Sequence, residues 1–460
     1  MRCLRHDQPS LWESVLSAEV DDLWEPWMRE VDEILGDEAL LSTVFEAQGR
    51  RHAQSHSRGR RQTPSEVVLR MLILKHARNW SYEVLVREVR ANLVYRSFCR
   101  IGLEKVPDDK TMVRLGQVVG PEVIAELHAR IVELAKLKRV TQGKKMRIDT
   151  TVVETNVHYP TDSSLLGDGT RVLTRLMKKA KAGKRGGLRT KVRDRMRSIR
   201  RRVIEIALSA RQKGPQGDER KKAAYRRLLA LTRKVVGNAN RVRDELRRSR
   251  GRMKKVAGQL DEMLSRVRQV IEQTVARVLR GQTHHPGKLV SVFEPDTEII
   301  RKGKASKPTE FGKMVEVQEA DGQIVVDVSV HDKRPADSDL LVSAVEKFRD
   351  QFGRVPSLVA ADSAFYSGAN EKALTELGVH HVSIPNRQTR SAARKALQRS
   401  RWFREGQRWR TGCEGRISVL KRRHGLDRCR YHTLDGVKRW VGMGVIANNL
   451  ITIGSSLATR

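Results

Sequence analysis

Three acidic side chains stand in surroundings that usually exclude them. Asp149 sits inside the short apolar run "MRIDTTVVE", Asp362 ends the apolar part of "LVAADSAFYSG", and Glu414 lies in "WRTGCEGRISVLKRRHG". Brought together, three carboxylates repel one another unless cations are bound. Oxygen-only anionic ligands suit Mg²⁺ or Mn²⁺, which keep several waters and accept phosphate oxygens. Two such ions about 4 Å apart activate a water or hydroxyl and stabilise the leaving oxygen in phosphodiester chemistry. Each acid also has a plainer reading. Arg147, two residues before Asp149 on the same strand face, can simply pair with it, and an aspartate at a strand end is commonly a cap or turn residue. Arg410, Glu414 and Lys421 fall within about 40° of one helical direction, which makes either a solvated ion-pair ladder or a metal-facing glutamate whose two cations grip flanking phosphates.

The elements around these residues decide whether they can meet. "MRIDTTVVE" reads as a strand. "FGKMVEVQEADGQIVVDVSVHD" reads as two strands joined through Ala320-Asp321-Gly322. "DSDLLVSAVEKFRDQFG" is an amphipathic helix ending at Gly353, "PSLVAAD" a strand, "ANEKALTELG" a helix and "VHHVSIP" a strand. A basic loop is expected over 386–408, and helices with a turn near Gly425 thereafter. The order β-β-β-α-β-α-β-α predicts a mixed sheet flanked by helices. First and fourth strands are commonly neighbours in such a sheet, and sites gather at strand ends. A late helix crossing those ends would bring acids separated by 213 and 52 residues into one cleft.

Between the first two strands lies a long basic insertion. Residues 171–285 hold 36 Arg/Lys against 9 Asp/Glu, a net +27 of the chain's +37. Val192, Met196, Ile199, Val203, Ile206 and Ala210 form a heptad seam. Lys213 to Glu219 breaks it, and it resumes at Val235, Ala239, Val242 and Leu246, then from Met253 to Val270, drifting by one residue at Ile271. Such helices are expected to fold back as a hairpin or small bundle, with cations facing solvent or phosphate. Residues 63–137 read as a helical domain, DNA-binding or dimerising, that starts with Thr63 as N-cap, Pro64 at the first helical position and Glu66 completing a capping box. Ser81 is expected to cap the next helix.

A chain of 460 residues with 39% apolar and 32% charged residues is globular, and a pI near 10.7 predicts a polyanionic partner. Residues 1–50 are the exception, with 12 Asp/Glu against 4 Arg/Lys. Cys3, Cys99, Cys413 and Cys429 have no CxxC spacing, which predicts free thiols in a reducing, cytoplasmic compartment. No signal peptide is evident, and the apolar stretch Trp440 to Gly454, interrupted by Asn448 and Asn449, reads as a buried terminal helix rather than a membrane span.

From about residue 60 onward the sequence resembles DDE-type bacterial insertion-sequence transposases with an RNase H-like catalytic core. The residues that carry the resemblance are "RIDTTVVETNVHYPTDSSLL", "LVAADSAFYSG" and "RTGCEGRISVLKRRHGL", and "HYPTDSSLLGDG" is similar to the ISNCY-like group. The resemblance implies that Asp149, Asp362 and Glu414 form a catalytic triad holding two Mg²⁺ or Mn²⁺ ions, and that the helical domain helps bind terminal inverted repeats. Related transposases show Tyr-x2-Arg-x3-Glu-x6-Lys around the glutamate. Arg410, Glu414 and Lys421 fit, whereas Gln407 stands at the tyrosine position. The implied partners are double-stranded DNA, both element ends and target, and further copies of the chain in a dimer or higher oligomer on that DNA; no membrane is expected.

The expected organisation is therefore an acidic segment (1–59), a helical DNA-binding domain (60–140), the first part of an RNase H-like core (141–170), a basic, coiled-coil-like helical insertion (171–285) and the rest of the core (286–460). A nuclease of the same fold acting on branched or hybrid nucleic acid, and a non-catalytic architectural DNA-binding protein, are the alternatives. Weaker candidates are His158 and Asp162 near the first strand, the pairs His284-His285 and His380-His381, the "GKRGG" stretch, and Trp402 and Trp409 as base-stacking residues.

Overall fold

The computed structural model describes residues 2–6, 20–50, 62–184, 186–209, 211, 214–282, 285–301 and 308–460. These form two compact units, Met1–Asn156 with Gly312–Arg460, and Val157–Phe311.

The first unit is built on β1 (Lys145–Glu154), β3 (Thr309–Ala320), β4 (Val325–Val330), β5 (Leu358–Ala360) and β6 (His381–Ser383). A further short strand, β2 (Glu298–Arg301), belongs to the second unit. The strands of the first unit lie in the order β4–β3–β1–β5–β6, antiparallel across β4, β3 and β1 and parallel across β1, β5 and β6. This is the mixed sheet that the element order predicts. In the register Arg147 faces Glu319, Asp149 faces Val317 and Glu154 faces Gly312. The turn between β3 and β4 demands glycine at position 322. Its φ is +73°, and a Cβ there would stand 2.0 Å from the Val140 carbonyl oxygen. Asp321 in the same turn accepts the Gln142 and Lys144 N–H groups at 2.8 and 2.7 Å, which fixes the entry to β1.

Helices cover both faces of the sheet. α12 (Asp337–Phe352) packs on β1 and ends at Gly353 with φ +69°; α13 (Gly368–Glu376) links β5 to β6. Expected as a loop, residues 386–408 instead carry α14 (Ala392–Arg399) and the start of α15 (Arg401–His424). The reason is local: Ser391 accepts the Arg394 N–H as an N-cap, and Ala, Leu, Arg and Lys are strong helix formers whose charge hides a weak apolar pattern. α15 turns at Gly425 (φ +73°) towards α16 (Thr433–Ala458). α16 is the one described helix long and apolar enough to cross a membrane, yet it lies in the core. Its Trp440, Val441 and Val445 join Val153, Val315, Val317 and Leu420 in one cluster. Asn449, fully buried, accepts the Val325 N–H at 3.0 Å and donates to its carbonyl at 2.7 Å, so the polar interruption pairs with the sheet.

The amino-terminal part is helical too: α1 (Pro26–Leu35), α2 (Glu38–Gly49), α3 (Ser65–Ala77), α4 (Tyr82–Ala91), α5 (Leu93–Phe98), α6 (Asp109–Val118) and α7 (Pro121–Leu137). The acidic segment thus contributes two packed helices, α1 against α16 and α2 against α3; its residues 7–19 and 51–59 lie outside the described ones. Thr63 does not cap α3. The N-cap is Pro64, no side chain caps it, and Glu66 instead takes the buried Arg70 at 2.9 Å. Ser81 caps α4 as expected.

The second unit contains the expected 171–285 stretch within a wider span. α8 (Asp162–Gly183), α9 (Met196–Ser209), α10 (Pro215–Leu246) and α11 (Gly251–Thr274) form a bundle around one apolar cluster. Ile199, Ile206, Val235, Ala239, Val242, Leu246, Val256, Leu260, Val267 and Val270 all belong to it; Ala210 lies outside the described residues. The drift of the seam at Ile271 leads into a π turn, Val275–Leu279, which widens the helix by one residue.

Candidate active site

Each acid is delivered by a different element. Asp149 lies mid-strand on β1 and is 16% exposed, its Oδ1 accepting the Thr150 N–H at 2.7 Å. Asp362 stands just beyond β5, the parallel neighbour of β1, and caps a short turn by accepting the Ala364 N–H at 2.8 Å. Glu414 lies on α15, 60% exposed.

Glycines allow α15 to reach the strand ends. A Cβ on Gly406 would stand 2.7 Å from the Ser383 Cβ on β6, and one on Gly412 would stand 2.2 Å from the Arg147 guanidinium on β1. Arg147 then fastens the helix. It donates to both Glu319 oxygens at 3.1 and 2.6 Å and to the Trp409 carbonyl, and lies over the Trp409 ring at 4.8 Å. Arg416 approaches the same Glu319 at 3.6 Å and is held by Asn448 and Gln323. Gln407, at the tyrosine position, donates to the Ala361 and Ser383 carbonyls at 3.2 and 2.6 Å and so ties α15 to the ends of β5 and β6. Arg147 is therefore not the partner of Asp149. That reading fails because the nearer opposite charge is Glu319, directly across the strand pair. The Arg147–Glu319 strut and the Gln407 clamp were not expected from the sequence, since both depend on strand pairing; the one advance signal was a buried-looking Glu319 in an alternating strand.

The three acids sense one another. Burial first, then the negative charges of Asp362 and Glu414, push the Asp149 carboxyl up to about 6, against the Thr150 N–H bond and the Arg410 charge. Arg410, 14% exposed, lies between two of them, 2.8 Å from Glu414 and 3.7 Å from Asp149. Lys421 lies two turns farther along α15, half-buried. Among the described residues no three Asp, Glu, His or Cys side chains stand close enough to hold one ion. The donors nonetheless suit a hard divalent cation: they are oxygen-only, the charges of Asp362 and Glu414 raise the proton affinity of Asp149, and an arginine already supplies positive charge between two of them. Glu414 must leave Arg410 to join Asp149 and Asp362.

The weaker candidates resolve otherwise. Asp162 is buried against Arg277 at 2.6 Å and His158 lies 3.6 Å from Asp168, both within the second unit. His284 lies outside the described residues, and His285 Nδ1 lies 2.9 Å from the Pro286 carbonyl oxygen. His381 stacks on Trp402 at 4.6 Å and Trp409 takes Arg147, so both tryptophans serve packing. "GKRGG" belongs to the connection after α8; its Arg185 lies outside the described residues. All four cysteines are free.

Two segments of the chain match known protein families. Residues 25–117 match the family described as Transposase domain (DUF772), which begins at α1. Residues 287–450 match the Transposase DDE domain, which takes in Asp362 and Glu414 while Asp149 lies before it. No curated protein matches the chain, and no solved structure does. Two segments of the chain are therefore similar to transposase domains, and the DDE match implies an RNase H-like fold for the mixed sheet described above.

Proposed function

We propose that the protein is the transposase of a bacterial insertion sequence of the ISNCY-like group, acting in the cytoplasm on the terminal inverted repeats of its own element. Asp149, Asp362 and Glu414 are the catalytic residues and would hold two Mg²⁺ or Mn²⁺ ions; these supply a nucleophilic water or hydroxyl and charge stabilisation at the leaving oxygen. The reaction has two parts. A water oxygen attacks the phosphorus at the element end, the P–O3′ bond breaks, and a 3′-hydroxyl is released. That hydroxyl then attacks a phosphodiester of target DNA, forming one P–O bond and breaking another. Arg410 and Lys421 position phosphates, and residues 60–140 bind the repeats. Two ends must be handled together, so a dimer or larger assembly on DNA is expected.

What supports this reading is the electrostatic coupling of Asp149 to Asp362 and Glu414 inside a basic chain that carries a DDE domain. Asp149→Asn is expected to bind element-end duplex with unchanged affinity and to lose Mg²⁺-dependent nicking entirely; retained nicking would refute the triad. A nuclease of the same fold would cleave such a duplex without joining the product to a second DNA, which a strand-joining assay distinguishes.

A further inference from the structure

Exposed cations without an ion pair to a described residue occur along the whole basic bundle, and one group of them stands on a stretch of backbone that is pinned in place. One end gathers the carboxyl end of α8, the α10–α11 turn and the start of the long connection 184–195, which then runs back beside α8, where Asp194 meets Lys178. Contacts define that end: Gly183 abuts Met253, and Lys184 lies 3.3 Å from Glu245. The opposite end, where α8 begins and α11 finishes, is marked by the Asp162–Arg277 pair. The chain enters and leaves the bundle at that opposite end, so the first end is a tip.

The tip is held in shape. Leu188, Val192 and Met196 pack against the apolar cluster of the bundle. Glu245 accepts the backbone N–H groups of Arg189 and Thr190 at 2.8 and 2.7 Å, along with the Thr190 hydroxyl. The Thr190 hydroxyl bond, followed by those N–H groups and Lys184, holds the Glu245 carboxyl down to about 2, so it stays ionised. Between these anchors Arg189, Lys191 and Arg193 are exposed, and beside them the α10–α11 turn exposes Arg247, Arg248 and Arg250. None of these six makes an ion pair with a described residue, whereas the nearby acids are engaged: Asp194 by Lys178, Glu245 by the connection, Asp244 by Arg243. Six free cations on an anchored scaffold lose little freedom when they meet a row of phosphates, and a compact patch of one sign concentrates a polyanion.

We infer that the tip of the inserted bundle is a contact surface for the phosphate backbone of duplex DNA, separate from the carboxylate site. The inference rests on the protein being a DNA-processing enzyme and adds where it grips DNA without reading its sequence. The test compares two triple variants of the full chain that remove equal charge, R189Q/K191Q/R193Q at the tip and K221Q/R233Q/K234Q along the amino half and middle of α10. The probe is a 40-base-pair duplex of arbitrary sequence, followed by fluorescence anisotropy between 50 and 300 mM KCl. Each phosphate contact contributes a slope of about 0.9 to log K against log salt. The tip variant is expected to weaken binding by about tenfold at 100 mM and to flatten the slope by about 2 to 3 units, the α10 variant by less than one. Equal effects from the two variants would overturn the tip as a site. Weakened binding to single-stranded RNA with duplex binding unchanged would overturn DNA as its partner. A wild-type protein with no affinity for duplex DNA would overturn both this inference and the transposase reading, while an intact tip effect with D149N still nicking would overturn only the latter.

Discussion

Arg410 is the residue on which the site turns. It satisfies Glu414 and part of the Asp149 charge, which a divalent ion would otherwise do. Neutralising it as Arg410→Gln leaves the acids without that cation. The DNA-free variant is then expected to bind Mn²⁺ about tenfold more tightly by calorimetry, a gain of about 1.4 kcal/mol. Unchanged affinity would mean that Arg410 does not compete for the ion position. Arg147 allows a second test. Glu319 is fully buried and Arg147 is its nearer cation, with Arg416 3.6 Å away, so Arg147→Met leaves that charge only partly compensated and is expected to cost about 3 kcal/mol in denaturant unfolding. R147M/E319M removes both charges and is expected to recover most of that loss; additive losses would contradict a coupled pair.

At the scale of elements, periodicity carried far. Five of the six strands, the glycine turn at position 322 and the helix stops at Gly353 and Gly425 were legible, because alternation and positive-φ glycines are local properties; the four-residue β2 was too short to show alternation. Two stretches were not. Residues 392–408 read as a loop because arginines crowd the apolar positions, and α1 and α2 were passed over because acidic side chains dominate a segment whose Trp27, Val31 and Leu35 are buried against other helices. Asp149, Asp362 and Glu414 could be named from their surroundings, but the strand pairing that brings β1 beside β5 spans 213 residues between the two aspartates and no local signal encodes it. α3 offers a test at this scale. Its Lys75 is 2% exposed, with the ammonium 4.7–5.1 Å from the rings of Tyr82, Tyr431 and Trp440. Burial chiefly, and then Arg430, lower its pKa from 10.5 to about 7. Between those values the unfolded chain carries a proton that the folded one lacks, so stability rises with pH there and levels off below about 7. Lys75→Met is expected to remove up to about 1.4 kcal/mol of this rise per pH unit, measured as the difference between variant and parent in unfolding midpoints from pH 7 to 10. Parallel curves would mean that Lys75 keeps its proton.

For the molecule as a whole, the place of the insertion matters more than its length. β1 and β3 are partners, and Glu154 lies opposite Gly312, where a Cβ would stand 2.1 Å from the Val153 carbonyl oxygen. Residues 157–311 thus occupy the loop of a β-hairpin, and their own apolar cluster makes them a self-supporting body. Replacing them with Asn-Gly is expected to leave a chain that unfolds in one cooperative thermal transition, because the two-residue turn suits antiparallel partners. A deleted chain lacking any cooperative transition would show that the sheet depends on its guest. The DDE match starts at residue 287, so β1 and Asp149 precede it, although β1 pairs with β5 inside the matched span. A guest carried on one hairpin joins its host's sequence at two neighbouring points only, so exchanging it for another would rewrite the chain at a single seam.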